Sequence, residues 1–184
     1  MHILAIDPGT TKSAYAIFDP EKNEVLDLGL LDNRDMAKKL MGLRKNRNLL
    51  LVLERIKSYG NIAGDSIYAT CAWSGIFLTN FGLGRSICVG RHAVLSALGI
   101  TGGSTDMQVR ERVLEILGNV RGAKADIWQA IGLAISTAGG AKYDAGWDFL
   151  YPGLANKDGV AYTWDYEIKI KPKKRNIKKA IVRL

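Results

Sequence analysis

Two short, uninterrupted apolar runs that each end in an acid constrain this fold most strongly. The first is HILAID (2–7), which is followed at once by a Pro-Gly turn, and the second is LLLVLE (49–54). Apolar runs of this length that are bounded by turn signals are typical of buried β-strands. A hydrophobic core has no use for an acid at the end of such a strand, so Asp7 and Glu54 are candidate functional residues.

Other strands and helices alternate with these two runs. Apolar patterns predict strands over 13–19, 24–31 and 86–90, with a hairpin-like break over 19–23. Helical spacing predicts helices over 32–44, 62–81, 91–98, 105–117 and 125–137, and either Asp32 or Asn33 is expected to cap the first of them. This order predicts an α/β domain with a mixed five-stranded sheet and helices on both faces.

The composition fits one soluble, folded domain. The chain has 184 residues and is 47% apolar, which is enough to bury a single core. No apolar run approaches the roughly 18 residues that span a bilayer, and the N-terminus lacks the features of a secretory signal. Two cysteines and two histidines show no zinc-binding spacing. We therefore expect a cytoplasmic protein without a membrane partner.

Positive charge is concentrated at the C-terminal end of the chain. Residues 167–184 hold eight basic residues and one acid, and so carry +7 of the net charge of +8. Such a segment typically seeks a polyanion, because each Lys or Arg that neutralises a phosphate releases a condensed counterion. A solvated terminus is the alternative interpretation. The candidate phosphate contacts here are Lys171, Lys173, Lys174, Arg175, Lys178 and Lys179.

An aromatic-rich segment precedes the basic one. Seven of the 15 aromatic residues fall within positions 143–166, and strict alternation over 160–171 predicts a half-buried strand. Its aromatic side chains either stack on unpaired bases or, as is more common, pack on the parent domain or across a dimer. The sequence therefore divides into a domain over 1–139, an aromatic extension over 140–171 and a basic tail over 172–184.

A third acid, Asp126, stands at the start of the helix predicted over 125–137. Asp7 and Glu54 converge if their strands are adjacent and parallel, and Asp126 joins them if its helix packs across the sheet. That packing would bury a stripe formed by Ala130, Leu133, Ala134 and Thr137. Three converged carboxylates repel one another unless cations lie between them, and such clusters support two-metal phosphodiester cleavage with Mg²⁺ or Mn²⁺. The alternative is that the three acids do not form one site, and that Asp7 forms a turn, Glu54 lies at the surface and Asp126 caps its helix.

Three segments together resemble a known family. ILAIDPGTTKSAYAIF is similar to the first motif of the RuvC-like Holliday junction resolvases of the RNase H-like superfamily, LLLVLERIKSYGN to the second and KADIWQAIGLAIST to the third. The resemblance covers about residues 1–138, with the three acids in order. SYGNIAGDSIYATCAWSGIF and the Asp-Ile-Trp form of the third motif are most similar to the RuvC-like nucleases of bacteriophages and prophages.

The resemblance implies an RNase H-like fold and a homodimeric endonuclease, acting in the host cytoplasm, that cleaves branched DNA and leaves 5′-phosphates. It implies that Asp7, Glu54 and Asp126 are catalytic and bind two Mg²⁺ or Mn²⁺ ions. Within the domain, the residues predicted to contact DNA are Lys12, Lys57, Tyr59 and Arg110.

Two positions depart from the family pattern. The bacterial enzymes carry a second acid one helical turn after the third motif's acid, and here that position is Gln129, whose amide oxygen is a candidate metal ligand or water-orienting group. Asp106 lies near where a lysine facing DNA is expected, and Arg110, Arg112 or the tail would compensate.

Two other functions stay open at this point. With Gln129 in place of an acid, a protein of this fold would bind branched DNA without cutting it. The DPGTT turn also resembles the phosphate-binding turn of actin-like and sugar-kinase ATPases, but that architecture needs two lobes and a second phosphate loop, which 184 residues do not supply.

Overall fold

The structure is a computed structural model, and it describes residues 1–56, 64–101 and 106–145. These residues alternate between strands and helices, with a short 3-10 turn before β5. In chain order the elements are β1 (His2–Asp7), β2 (Lys12–Asp19), β3 (Glu24–Asp32), α1 (Asn33–Leu43), β4 (Leu49–Arg55), α2 (Asp65–Phe81), β5 (Ser86–Gly90), α3 (Arg91–Leu98), α4 (Asp106–Leu117), α5 (Ile127–Ala138) and β6 (Asp144–Ala145).

The strands form one mixed sheet in the order β3-β2-β1-β4-β5-β6. The first three strands are an antiparallel meander, while β1, β4 and β5 run parallel to one another. Parallel strands are normally buried on both faces, which is why β1, β4 and β5 are apolar almost throughout. Their carboxyl ends therefore lie at the same edge of the sheet.

Helices cover both faces of the sheet, so the domain has two apolar layers. One layer packs α3, α4 and α5 against Ala5, Val52 and Val89, which alternate with residues of the opposite face. The other packs α1 and α2 against side chains that include Leu4 and Leu53. Since successive side chains of a strand point to opposite faces, each strand residue can be assigned to one layer.

Helix α5 is the central helix of its layer, and almost all of it is buried. The predicted stripe of Ala130, Leu133, Ala134 and Thr137 is buried as expected. Gly132 allows α4 to approach closely, since a Cβ at this position would lie 2.7 Å from Val109 Cγ1. This packing fixes the N-terminal end of α5 beside the carboxyl ends of β1 and β4.

The structure confirms the predicted α/β architecture and corrects it in three places. A sixth, two-residue strand, β6, pairs with β5 and extends the predicted five-stranded sheet. Helix α5 begins at Ile127, so Asp126 occupies the N-cap position and does not lie in the first turn. Neither Asp32 nor Asn33 caps α1 through its side chain. The Asn33 side chain bonds instead to the turn after β1.

Some sequence predictions lie outside the described residues. These are positions 62, 63 and 105 of the predicted helices, most of the aromatic extension and the whole basic tail. The boundaries at 139 and 171 stay predictions. Among the described helices, none is both long and apolar enough to cross a bilayer.

Candidate active site at the carboxyl ends of the central strands

Asp7 and Glu54 lie side by side at the sheet edge. The parallel register pairs Ile6 with Leu53, and each acid is the next residue of its strand. Ile6 and Leu53 both belong to the layer covered by α1 and α2. By alternation, both acids therefore point to the opposite face, which carries α5.

Asp126 reaches the same edge from the N-terminus of α5. Its side chain is exposed and makes no capping hydrogen bond with the helix. The preceding residue, Ala125, has a φ of +44°, in the left-handed region that an L-residue seldom adopts. Strained backbone is commonly found where a side chain must be held in a particular direction, and here the strain directly precedes the acid.

The electrostatics of Asp7 show how close the three acids are. The pKa of Asp7 is raised from its ordinary 3.8 to about 8, first by burial and then by the charges of Glu54 and Asp126, against a lowering by Arg91. The pKa of Glu54 is also raised, mainly by burial, although Arg91 opposes the shift. Burial, together with the neighbouring carboxylates, therefore favours the protonated form of Asp7 in the metal-free protein.

Arg91 lies among the acids. It is the first residue of α3, directly after β5, and its side chain is only 21% exposed. Its Nη1 donates to Gln129 Oε1 at 2.7 Å and to Glu54 Oε2 at 3.4 Å, and its Nη2 donates to Asp106 Oδ1 at 2.9 Å. The guanidinium therefore joins β4, α4 and α5.

Gln129 faces the site, as its spacing from Asp126 predicts, and it is buried. Its amide oxygen accepts from Arg91, while its Nε2 lies 3.3 Å from the backbone oxygen of Asp106. In this arrangement the amide oxygen accepts a hydrogen bond from the Arg91 guanidinium. Coordination of a metal ion by the same oxygen stays a prediction.

The turn after Asp7 is fixed by a buried polar network. Ser13 Oγ donates to Asn33 Oδ1 at 2.6 Å, Asn33 Nδ2 donates to the Gly9 oxygen at 2.9 Å, and Gly9 N donates to Ser13 Oγ at 3.2 Å. Gly9 is required by close packing, since a Cβ would lie 2.2 Å from the Lys12 backbone oxygen. The network holds the segment that links Asp7 to Lys12.

A cleft of about 340 Å³ opens beside Asp126 and Gln129. Its rim carries the cations Arg110 and Lys124, and Trp128 lies in its wall. The Arg110 guanidinium lies 5.8 Å from the centre of the Trp128 ring, a cation–π distance. The lining also includes Asp106 and Asp126, so the cleft brings cations that suit a phosphate beside acids that suit a metal ion.

Two of the predicted DNA contacts fall within the described part of the chain. Lys12 is exposed at the start of β2, at the end of the turn that follows Asp7, and Arg110 is exposed at the cleft. Lys57 and Tyr59 lie outside the described residues, as do Lys171, Lys173, Lys174, Arg175, Lys178 and Lys179.

The described residues suit a divalent ion by chemistry and charge. Carboxylate oxygens are the ligands that Mg²⁺ and Mn²⁺ prefer, and a cation would relieve the repulsion from Glu54 and Asp126 that adds to burial in raising the pKa of Asp7. Over 1–56, 64–101 and 106–145, however, no three His, Cys, Asp or Glu side chains are already arranged around one ion. Binding would therefore require some rearrangement of the acids.

Sequence reasoning found the acids and missed Arg91. The sequence did carry a signal, because Arg91 follows the strand SICVG directly, as Glu54 ends its own strand. A basic residue at a helix start is more commonly a solvated charge. Only the parallel pairing of β4 with β5 shows that it shares an edge with Glu54.

Solved structures with the same fold include RuvC from Thermus thermophilus. A T. thermophilus RuvC in complex with a Holliday junction substrate superimposes with a TM-score of 0.61 at 16% identity, covering 76% of this chain and 93% of that one. A second T. thermophilus RuvC structure gives 0.59 at 17% identity, with 76% and 94% covered. No protein-family model and no curated protein matches the sequence. The RuvC-like, RNase H-like fold expected from the motifs is confirmed.

Proposed function

We propose that this protein is a divalent-metal-dependent DNA endonuclease that cleaves Holliday junctions or related branched DNA. The observation that carries the proposal is the placement of Asp7, Glu54 and Asp126 at one sheet edge, close enough for the charges of the other two to raise the pKa of Asp7. The same fold in T. thermophilus RuvC was solved with a Holliday junction substrate, which favours this substrate class.

The chain's own groups divide the work of phosphodiester hydrolysis. Asp7, Glu54 and Asp126 would hold the metal, which when bound supplies an activated water and neutralises charge on the phosphate. Lys12 and Arg110 flank the acids and would bind neighbouring phosphates.

The products follow from the bond that breaks. The water oxygen bonds to phosphorus and the bond from phosphorus to O3′ breaks, leaving a 5′-phosphate and a 3′-hydroxyl. The proton lost by water passes to solvent, and O3′ takes a proton from solvent. Because both protons exchange with solvent, no carboxylate of the site need be consumed in the cycle.

We further propose a homodimer of the phage or prophage type, acting in the host cytoplasm. Helix α2 has no charged residue from 66 to 81, and its outer face exposes Tyr68, Ala72 and Ile76. Small and apolar residues on an exposed helix face allow a second helix to pack closely. Two active sites related by a dyad would suit the cutting of two of the four strands of a four-way junction.

A second candidate is a branched-DNA-binding protein that does not cut. Gln129 in place of an acid favours it, as does the lack of a preformed three-ligand group among the described residues. In that case Arg110 and Lys124 at the cleft bind DNA together with the tail, and Arg91 neutralises acids that have no catalytic task.

One gel separates these candidates. A four-way junction, a flap and a linear duplex, each end-labelled, are incubated with the protein and Mg²⁺, Mn²⁺ or EDTA. The nuclease proposal expects cleavage of branched DNA with either ion and none in EDTA. Shifted but uncut junction in every lane, with excess metal, would favour the silent binder.

A further inference from the structure

Arg91 places a cation within hydrogen-bond reach of Glu54. It bonds at once to Glu54, to Gln129 and to Asp106, which come from three different elements. The side chain of a surface arginine is normally solvated, whereas the Arg91 side chain is only 21% exposed. The contact pattern therefore needs an explanation beyond solubility.

The position of the guanidinium bears on the number of ions the site can take. Gln129 lies one helical turn after Asp126, where the family resemblance places a second acid, and Arg91 Nη1 lies between Gln129 and Glu54. An ion held by groups at these two positions would occupy the same region as the guanidinium. Two cations at such short range repel strongly, so the region accommodates one of them.

The surroundings hold Arg91 in place and match its chemistry. Gln129 presents an amide oxygen that accepts from one N–H of the guanidinium, while Asp106 supplies a carboxylate at 2.9 Å. Arginine stays protonated under all ordinary conditions and presents several N–H donors in one plane, which suits the oxygens of a phosphate. Because Gln129 and Glu54 are buried, a guanidinium bonded to them can stabilise charge on a phosphate with little reorganisation.

We propose that Arg91 is a catalytic residue that replaces one of the two ions: the site binds a single divalent ion, and the guanidinium contacts the scissile phosphate in place of the second. Gln129 and Asp106 are its positioning residues. The inference rests on the proposed function. Arg91 donates hydrogen bonds and no proton, so the bonds made and broken in hydrolysis are those given above.

The first test counts bound ions without requiring activity. Mn²⁺ is titrated into the metal-free, full-length protein, and bound ion is followed by calorimetry and by electron paramagnetic resonance. We expect one ion per chain in the wild type and in Gln129→Glu, where Arg91 is retained. The double variant Arg91→Gln/Gln129→Glu restores an acid and removes the guanidinium, so it is expected to bind two. Two ions in the wild type, or one in the double variant, would overturn the proposal.

The second test measures single-turnover cleavage of a four-way junction at saturating Mn²⁺. Loss of a preorganised charge-stabilising donor typically costs about 100-fold or more in rate, and we expect this for Arg91→Gln. Arg91→Lys should recover part of the rate, and the double variant should cut faster than Arg91→Gln because a second ion replaces the missing charge. Junction affinity in Ca²⁺ should fall by no more than the loss of one phosphate contact, far less than the fall in rate, which separates this role from a structural one.

Arg47→Gln is the matched control, since Arg47 is exposed before β4, at the opposite end of the strand from Glu54. It should change neither ion count nor rate. Thermal denaturation of each variant identifies any that do not fold, in which case Gln129→Glu and Arg91→Lys still report the ion count and the rate.

The two proposals fail in different ways. If the wild type cuts junctions with two ions bound and Arg91→Gln cuts equally fast, the Arg91 inference is wrong and the nuclease stands. If the wild type binds no Mn²⁺ and cuts nothing, the nuclease proposal itself is wrong, and the inference falls with it.

Discussion

Glu54 is placed beside Asp7 by the parallel register of β4 and β1, in which their preceding residues, Leu53 and Ile6, are paired. Both side chains therefore point to the face covered by α5, where the N-terminus of the helix brings a third acid. Burial and the two neighbouring acids raise the pKa of Asp7, and the effects of this arrangement on stability, binding and cleavage can be measured.

The stability of the metal-free protein should fall as pH rises from about 4 to 8. Asp7 has a pKa of about 8 in the folded protein against an ordinary 3.8, so between these values the folded state binds more protons than the unfolded state. Stability then decreases with rising pH. Asp7→Asn removes the contribution of Asp7 to this dependence and leaves that of Glu54, and at pH 8 it should be more stable than wild type by on the order of 1 kcal/mol or more.

Urea unfolding in EDTA at several pH values measures this effect. Glu111→Gln, at an exposed position of α4, is the control and should follow wild type. Added Mn²⁺ should narrow the gap at pH 8 by stabilising the wild type alone. Equal pH slopes for wild type and Asp7→Asn would contradict the burial and crowding of this carboxylate.

Asn33→Ala should destabilise the protein by about 1–3 kcal/mol, since the Ser13 hydroxyl loses its acceptor and the Gly9 carbonyl oxygen loses its donor. The substitution should also loosen the turn between Asp7 and Lys12, so cleavage should slow even where the variant is fully folded. Asn119→Ala, at an exposed loop position, is the matched control. Chemical denaturation and cleavage rates measured side by side would show the effect, and unchanged stability would mean that the network contributes nothing.

The salt dependence of junction binding should identify the side chains that bind phosphates. Removing one cation that neutralises a phosphate lowers the slope of log K against log salt by about 0.9, so Arg110→Ala should lower it by about one and deletion of 167–184 by several. Arg47→Ala should leave the slope unchanged. Titrations by fluorescence anisotropy in Ca²⁺ at four salt concentrations are sufficient. If the truncated and full-length proteins have the same slope, the tail does not contact DNA.

The outer face of α2 should form the contact between two copies of the chain. Ile76→Glu places a charge in the middle of that face, where Ile76 is 40% exposed, and should convert a dimer into a monomer that remains folded. Thr79→Glu, near the end of the helix, should have a smaller effect. Light scattering coupled to size exclusion gives the masses. A monomeric wild type, or a dimeric Ile76→Glu variant, would place any dimer contact elsewhere.

The sequence predicted the elements that follow from local patterns. Two apolar runs ending in acids predicted β1 and β4, and helical spacing predicted the buried stripe of α5. The family motifs predicted the RuvC-like fold, which structural comparison confirms. These predictions were correct for one physical reason: the burial of a strand and the amphipathicity of a helix depend on residues that are close along the chain.

Features that depend on partners distant in sequence were missed. Asp32 or Asn33 was expected to cap α1, but neither side chain does so, and that of Asn33 bonds across to Gly9 and Ser13. Arg91 is recognised as part of the site only from the pairing of β4 with β5, since its partners Glu54 and Gln129 are 37 and 38 residues away in sequence. Such contacts depend on tertiary placement, for which no single segment carries a pattern.

The most direct test of the account is cleavage and binding by Asp7→Asn on the same four-way junction. Binding is measured in Ca²⁺ by gel shift, and cleavage is measured in Mg²⁺ and Mn²⁺ against wild type. Removing a carboxylate at the centre of the acidic site should abolish cleavage with both ions while retaining junction binding, because the substitution removes a metal ligand and no phosphate contact. Wild-type rates of metal-dependent cleavage by Asp7→Asn would contradict the proposal that these carboxylates form the active site.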